Sequence, residues 1–198
     1  VNPDAKTVHV EPGCTWGDVD HATHAFGLAT VSGVISTTGV GGLTLGGGHG
    51  YLTRKYGLTI DNLLSADVVL ADGRLVHASK DEHEDLFWAL RGGGGNFGVV
   101  TSFEYRLHPV ETVIAGPMFW PLEELESTMK WSREWLPQAP EDVYAFYLAA
   151  EVPAGDPFPE EIHGKNVCGL MWCYLGSEER LDDVLQPARD ITEPLFEH

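Results

Sequence analysis

Hydrophobic and polar positions alternate and recur along this chain at two periods, and together they predict its elements. Val8 and Val10 alternate with polar neighbours as a short strand. Thr15-Trp-Gly-Asp18 has the form of a capping box, opening a helix that Gly27 closes. The runs Ala66–Ala71 and Arg74–Ala78, joined through Asp72-Gly73, carry a β-hairpin signal. Ser79-Lys-Asp-Glu82 reads as a second capping box, for a helix with Leu86, Phe87, Ala89 and Leu90 on its apolar face and its end at Gly92. Beyond it, period two puts Val99, Thr101, Phe103, Tyr105 and Leu107 on one face of a strand. Val100, Ser102, Glu104 and Arg106 take the other face, until Pro109 stops the strand.

After His108-Pro109 glycine becomes sparse and aromatic residues accumulate, which divides the chain into domains 1–109 and 110–198. Leu122, Leu125 and Met129 recur at helical spacing between Pro121 and Pro137. Residues 143–150 and 166–175 read as strands, 153–159 as a loop, and the chain from Glu178 as a helix. Cys168 and Cys173, on one strand, are spaced to point to opposite faces. Trp120 and the aromatics from Tyr144 to Tyr147 either pack a half-buried sheet or line a substrate face. No repeat of solenoid or propeller period is present.

Charge narrows the partners. Lys plus Arg number 12 against 30 Asp plus Glu, a net charge of −18. Nucleic acid and anionic lipid are read by clustered Lys and Arg, so neither is expected. The acidic excess fits a high-salt host or an ordinary solvated acidic surface. No apolar run approaches the ~20 residues of a membrane span, so a soluble protein is expected. The 3 cysteines are too few for a disulfide framework and favour a reducing, cytoplasmic setting. His21 and His24 beside Asp18 and Asp20 read as a solvated helix face, and no metal site is expected.

Glycine carries the candidate chemistry. The chain has 23, where average usage gives roughly 14. Nine lie between Gly33 and Gly57 and five between Gly92 and Gly98. Gly93-Gly-Gly-Asn-Phe-Gly98 satisfies the dinucleotide fingerprint G-x-G-x-x-G, but a helix precedes it and a strand follows. The Rossmann arrangement needs the reverse order. The longer window, Ser36 to Gly50, holds no Lys or Arg. It is either a packing loop or a concavity whose backbone N–H groups hold an anion.

These residues resemble the FAD-linked oxidases of the vanillyl-alcohol oxidase and p-cresol methylhydroxylase (PCMH) superfamily, in particular the berberine-bridge-enzyme-like branch. The resemblance covers more than half of the chain. It runs through Val8-His-Val-Glu-Pro-Gly13, Trp16-Gly-Asp-Val19, Thr38-Gly-Val-Gly-Gly-Leu-Thr-Leu-Gly-Gly-Gly-His-Gly50 and Arg54-Lys-Tyr-Gly57. It continues through Asp61-Asn-Leu-Leu-Ser-Ala-Asp67 and Asp85-Leu-Phe-Trp-Ala-Leu-Arg-Gly-Gly-Gly-Gly-Asn-Phe-Gly-Val-Val-Thr101 to Pro109.

The resemblance implies an α+β fold: the second half of a PCMH-type FAD-binding domain, then the start of an α+β substrate domain in which helices pack on an antiparallel sheet. It implies FAD as cofactor, held by Thr38, Gly39, Val40, Gly41, Gly42, Leu45, Gly46, Gly47, Gly48, His49 and Gly50. From the second window Asn96, Gly98 and Val100 join them. These contacts are mostly main-chain, that of His49 included. Ile35 stands where doubly linked members carry a cysteine, so no cysteinyl flavin is expected. The family's flavin-bonding histidine would lie upstream of Val1 and its catalytic tyrosine region downstream of His198. The chain is therefore expected to be a piece of a longer protein, with no catalytic residue to name. The implied chemistry is oxidation of a C–H bond of a small molecule, with oxygen as electron acceptor. The alternative is an inert fragment that folds and serves as an interaction module without flavin.

Overall fold

The computed structural model describes all 198 residues, which form two compact units, Val1–Glu111 and Thr112–His198. In the first unit the chain runs through β1 (Thr7–Val10), α1 (Trp16–His24), β2 (Leu28–Ala29), α2 (Val40–Leu45) and α3 (Thr53–Tyr56). It continues with β3 (Leu63–Val69), β4 (Leu75–Ser79), α4 (Glu84–Leu90), β5 (Val99–Arg106) and β6 (His108–Pro109). Strands β1-β5-β3-β4 make an antiparallel sheet in that order, and β2 pairs with β6.

One face of this sheet is apolar and holds the core. Val8, Val10, Ala66, Val68, Phe103 and Tyr105 meet Trp16 and Val19 of α1, Val40 of α2, and Phe87 and Leu90 of α4. The other face is polar, with His9 beside Glu104 at 3.3 Å and Asp67 bonded to both His77 and Ser102 at 2.8 Å. An antiparallel sheet can leave one face to solvent in this way. The bonds from His77 and Ser102 hold the Asp67 carboxyl below its usual range.

Helix α1 starts as the capping box requires. The Thr15 N–H donates to Asp18 at 2.8 Å and the Asp18 N–H to the Thr15 hydroxyl at 3.4 Å. The second box is not formed. Ser79 and Glu82 instead close a turn on each other's backbone, and α4 begins at Glu84 behind a left-handed His83. Four polar residues after a strand satisfied the box pattern, but the tight turn used the same backbone groups first.

The face assignment on β5 also fails at one end. Val100 is buried with Phe103 and Tyr105, whereas Val99 and Thr101 face out. Ser102 pairs with Asp67 and Val100 with Val68, so Thr101 is the extra residue of a β-bulge. A bulge moves every side chain beyond it to the opposite face.

The second unit contains β7 (Ile114–Pro121), α5 (Leu125–Trp135), β8 (Val143–Glu151), β9 (Asn166–Tyr174), α6 (Leu181–Arg189) and β10 (Phe196–Glu197). Its antiparallel sheet has the order β10-β7-β9-β8. Helices α5 and α6 pack on the face formed by Met118, Trp120, Cys168, Leu170 and Trp172. Cys173 lies on the opposite face from Cys168 by strand alternation. Trp131 stacks on Trp135 at 4.8 Å and both pack against this core, while Met129 is turned outward. The buried stripe of α5 thus runs through Leu125, Thr128 and Ser132, while Leu122 and Met129 of the expected line are exposed. A 3-10 turn over Leu122–Glu124 shifts the phase of the helix that follows it. No helix of the structure is long and apolar enough to cross a membrane.

Candidate cofactor site

The two glycine-rich windows come together in the first unit. Thr38 accepts from Trp16 N–H at 2.9 Å, which ties the entry of the first window to α1. Val40 to Leu45 then make one short helix, α2, with Gly39 at its N-cap and no side-chain cap. The window is therefore not a run of successive turn amides, as an anion-binding concavity would be. Helix α2 lies against the 3-10 turn Gly94–Phe97, which brings Asn96 beside it. The Asn96 side chain closes that turn on the Gly93 carbonyl at 3.1 Å.

Helix α2 turns Val40 and Thr44 into the core. The Thr44 hydroxyl shares a 2.7 Å hydrogen bond with the Tyr105 hydroxyl, and both residues are fully buried. Leu45 packs partly against the same core. Gly46 N–H donates to Gly42 and Gly47 N–H to Thr44, closing the helix. The carbonyls of Gly47 and Gly48 then accept from Ile60 and Thr59. Gly50 is bonded to the Thr53 hydroxyl at 2.9 Å, and His49 is exposed.

The glycines of this window separate into two groups. A Cβ on Gly41 would press on Pro12, one on Gly48 would strike Thr59, and one on Gly50 would strike the Ser32 carbonyl. These three are demanded by the packing of the protein itself. A Cβ on Gly39 or Gly42 would meet nothing within 4 Å, and neither residue has a positive φ. Both are exposed, and their N–H groups, like that of Gly48, donate to no acceptor in the protein. In the second window Gly98 is required internally, at φ 148° and against Val68 and Val69. Val100 puts its side chain into the core and so offers only main chain. Pairing of β1 with β5 starts at Phe103, so Val99 to Ser102 are bonded to β3 on one side alone.

Beside this surface Asp20, Trp16, Ser32, Ile35 and Tyr51 line a cavity of about 170 Å³. Asp20 is half-buried, and that burial raises its carboxyl above the usual range. The buried indole N–H of Trp16 has no partner. No group of three or more His, Cys, Asp or Glu is placed to hold a metal.

Sequence reasoning located the glycine windows but missed the Thr44–Tyr105 pair. A lone threonine inside a glycine-leucine run was its available signal. The residues brought together are Gly39 to Leu45 with Asn96. His49 stands exposed at the far end of the window.

Residues 1–79 match the FAD binding domain family. The chain is 42% identical over 197 residues to the FAD-linked oxidoreductase pgmH of Aspergillus terreus, across 95% of this chain and 37% of that protein. Its structure matches 6-hydroxy-D-nicotine oxidase of Arthrobacter nicotinovorans with a TM-score of 0.84 and 29% identity, covering 100% of this chain and 42% of that one. BBE-like 1 of Physcomitrella patens matches with a TM-score of 0.82 and 29% identity, over 98% and 40% of the two chains. Residues 1–79 are thus part of an FAD-binding domain, the chain is a homologue of FAD-linked oxidoreductases, and its structural neighbours include a berberine-bridge-enzyme-like protein. The chain spans about two fifths of the length of these relatives.

Proposed function

We propose that this chain forms part of an FAD-dependent oxidase of small molecules, with residues 1–109 contributing to the flavin domain and 110–198 to the substrate domain. FAD supplies a hydride acceptor at flavin N5 for a C–H bond beside an alcohol or amine, and a route for the electrons to oxygen. The chain's own part is to bind and orient.

One observation carries the reading. Gly39 and Gly42 lack side chains that neither backbone angle nor packing forbids, and their exposed amides have no partner. Glycine inside a helix costs roughly 0.5–1 kcal/mol relative to alanine. Its presence at Gly42 is explained by something outside the chain coming close to the main chain. A pyrophosphate held by the unpartnered N–H groups in the first turn of α2 fits a segment without Lys or Arg. Gly39 and Gly42 present this surface, and Thr38, Val40, Gly41, Leu45 and Gly46 to Gly50 are the segment that carries and shapes it. Asn96, Gly98 and the main chain of Val100 flank it. Exposed Val34 and Ile35 add apolar surface on the approach, suited to the flavin ring.

The test is titration of the purified chain with FAD and, separately, NAD, read by flavin fluorescence and by melting temperature. A ligand that binds the folded state raises its stability by mass action. Quenched fluorescence and a raised midpoint with FAD alone are expected. A chain that stays colourless and unshifted with FAD overturns the reading in favour of an inert module.

A further inference from the structure

From the buried contact between α2 and β5, we infer that Thr44 and Tyr105 are positioning residues for the cofactor, acting through their shared hydrogen bond. The inference rests on the FAD reading above. Helix α2 has 6 residues and no side-chain cap. A helix that short has little stability of its own, so its pose comes from what it packs against. Its buried residues are Val40 and Thr44. The N–H groups of Val40 and Gly41 donate to the Cys14 and Pro12 carbonyls and fix the first turn, while the second turn is held by apolar contact of Leu43 and Leu45, which is non-directional. The 2.7 Å bond from Thr44 to Tyr105 is the directional side-chain tie of that second turn and fixes its orientation.

The geometry of an α-helix gives the consequence. Residues two apart lie about 200° apart around the axis, so Gly42 is opposite Thr44. Pulling the Thr44 hydroxyl inward therefore turns Gly42 outward. The anchor is itself rigid: Tyr105 is fully buried, with its ring 5.6 Å from Trp16, and it sits between Val8 of β1 and Leu63 of β3. Burial raises the Tyr105 hydroxyl far above its ordinary value, so it stays protonated and available to the bond. Tyr105 and Val100 share strand β5. One hydrogen bond thus registers the α2 amides against the strand that forms the other side of the proposed site.

The experiment compares Thr44→Val, Tyr105→Phe, the double variant and Thr44→Ser with the unaltered chain. Replacing both partners by apolar groups of the same shape is nearly neutral for folding, so the double variant keeps the fold. Hydrogen exchange of residues 41–46 is expected to accelerate in both single variants, with β3 and β5 unchanged. FAD affinity is expected to fall about tenfold in each single variant and no further in the double. Thr44→Ser restores both. Unchanged exchange in α2, or affinity losses that add in the double variant, overturns the inference. If the unaltered chain binds no FAD while α2 exchange still accelerates, the positioning of α2 stands and the cofactor reading fails.

Discussion

Asn62 accepts a 2.6 Å hydrogen bond from Nε2 of His108, and its amide nitrogen donates to the carbonyls of Tyr56 and Leu58, each at 2.9 Å. Because both amide protons go to carbonyls, the Asn62 oxygen faces the imidazole, and His108 carries its proton on Nε2. His108 also stacks on Tyr56 with ring centroids 3.9 Å apart. One buried side chain thus joins the loop after α3 to strand β6. Asn62→Ala removes a partner from the Tyr56 carbonyl, the Leu58 carbonyl, which keeps the Asp61 N–H, and the His108 imidazole, and a loss of roughly 2–4 kcal/mol is expected, measured by urea denaturation.

Stability near neutral pH is expected to depend on His108. Burial, then the charges of Arg106 and Lys6, lower its pKa from the ordinary 6.5. The unfolded chain therefore binds this proton more readily than the folded one. The resulting stability is fully present above 6.5 and is lost as pH falls through the folded-state value. His108→Asn should flatten the urea midpoint against pH between about 7 and 5. A profile unchanged by the substitution would remove His108 as its source.

Two glycines in one window should respond in opposite ways to alanine. Gly42→Ala fills open space on a helix, so the chain without ligand is expected to gain about 0.5–1 kcal/mol while FAD affinity drops by about an order of magnitude. Gly50→Ala drives a methyl into the Ser32 carbonyl and should cost about 3 kcal/mol or more. Chemical denaturation of both variants, with flavin titration of the first, separates a glycine serving the fold from one serving a ligand.

Asp20 gives a pH effect of the other sign. Burial raises its carboxyl above the ordinary 3.8, so the folded state holds this proton more tightly than the unfolded state does. Its contribution is present below 3.8 and is lost as pH rises through the folded-state value. Asp20→Asn should therefore be more stable than the parent at neutral pH and equal to it in acid. Equal melting midpoints at neutral pH would contradict this.

Elements whose cues are local were legible in the sequence. The Thr15-Asp18 box, the Val143 and Asn166 strands and the Asp72-Gly73 turn lie where pattern put them. Strand β7 went unmarked because Gly116 and Pro117 argue against a strand flanked on both sides, and only its partners β9 and β10 reveal it. The inversion of Val99 and Val100 was hidden because a bulge depends on the register of a neighbouring strand. The same holds for the candidate site. Glycine number was visible, but which glycines are filled by the protein's own atoms and which face outward is decided by Pro12, Ser32 and Thr59, residues distant in sequence from those they exclude. Helix α2 was missed because three of its features, Gly41, Gly42 and a lack of capping side chain, oppose helix formation locally.

The proposed anion site, made of neutral peptide groups in a polypeptide of net charge −18, would reverse the customary effect of added salt. Lysine-rich phosphate sites lose attraction as counterions accumulate, whereas a diphosphate approaching this chain would do so against its net negative charge. Ions shorten the reach of that repulsion to about 8 Å at physiological ionic strength. Encounter with the dinucleotide should then become faster as sodium chloride is raised, a dependence that stopped-flow mixing reads directly.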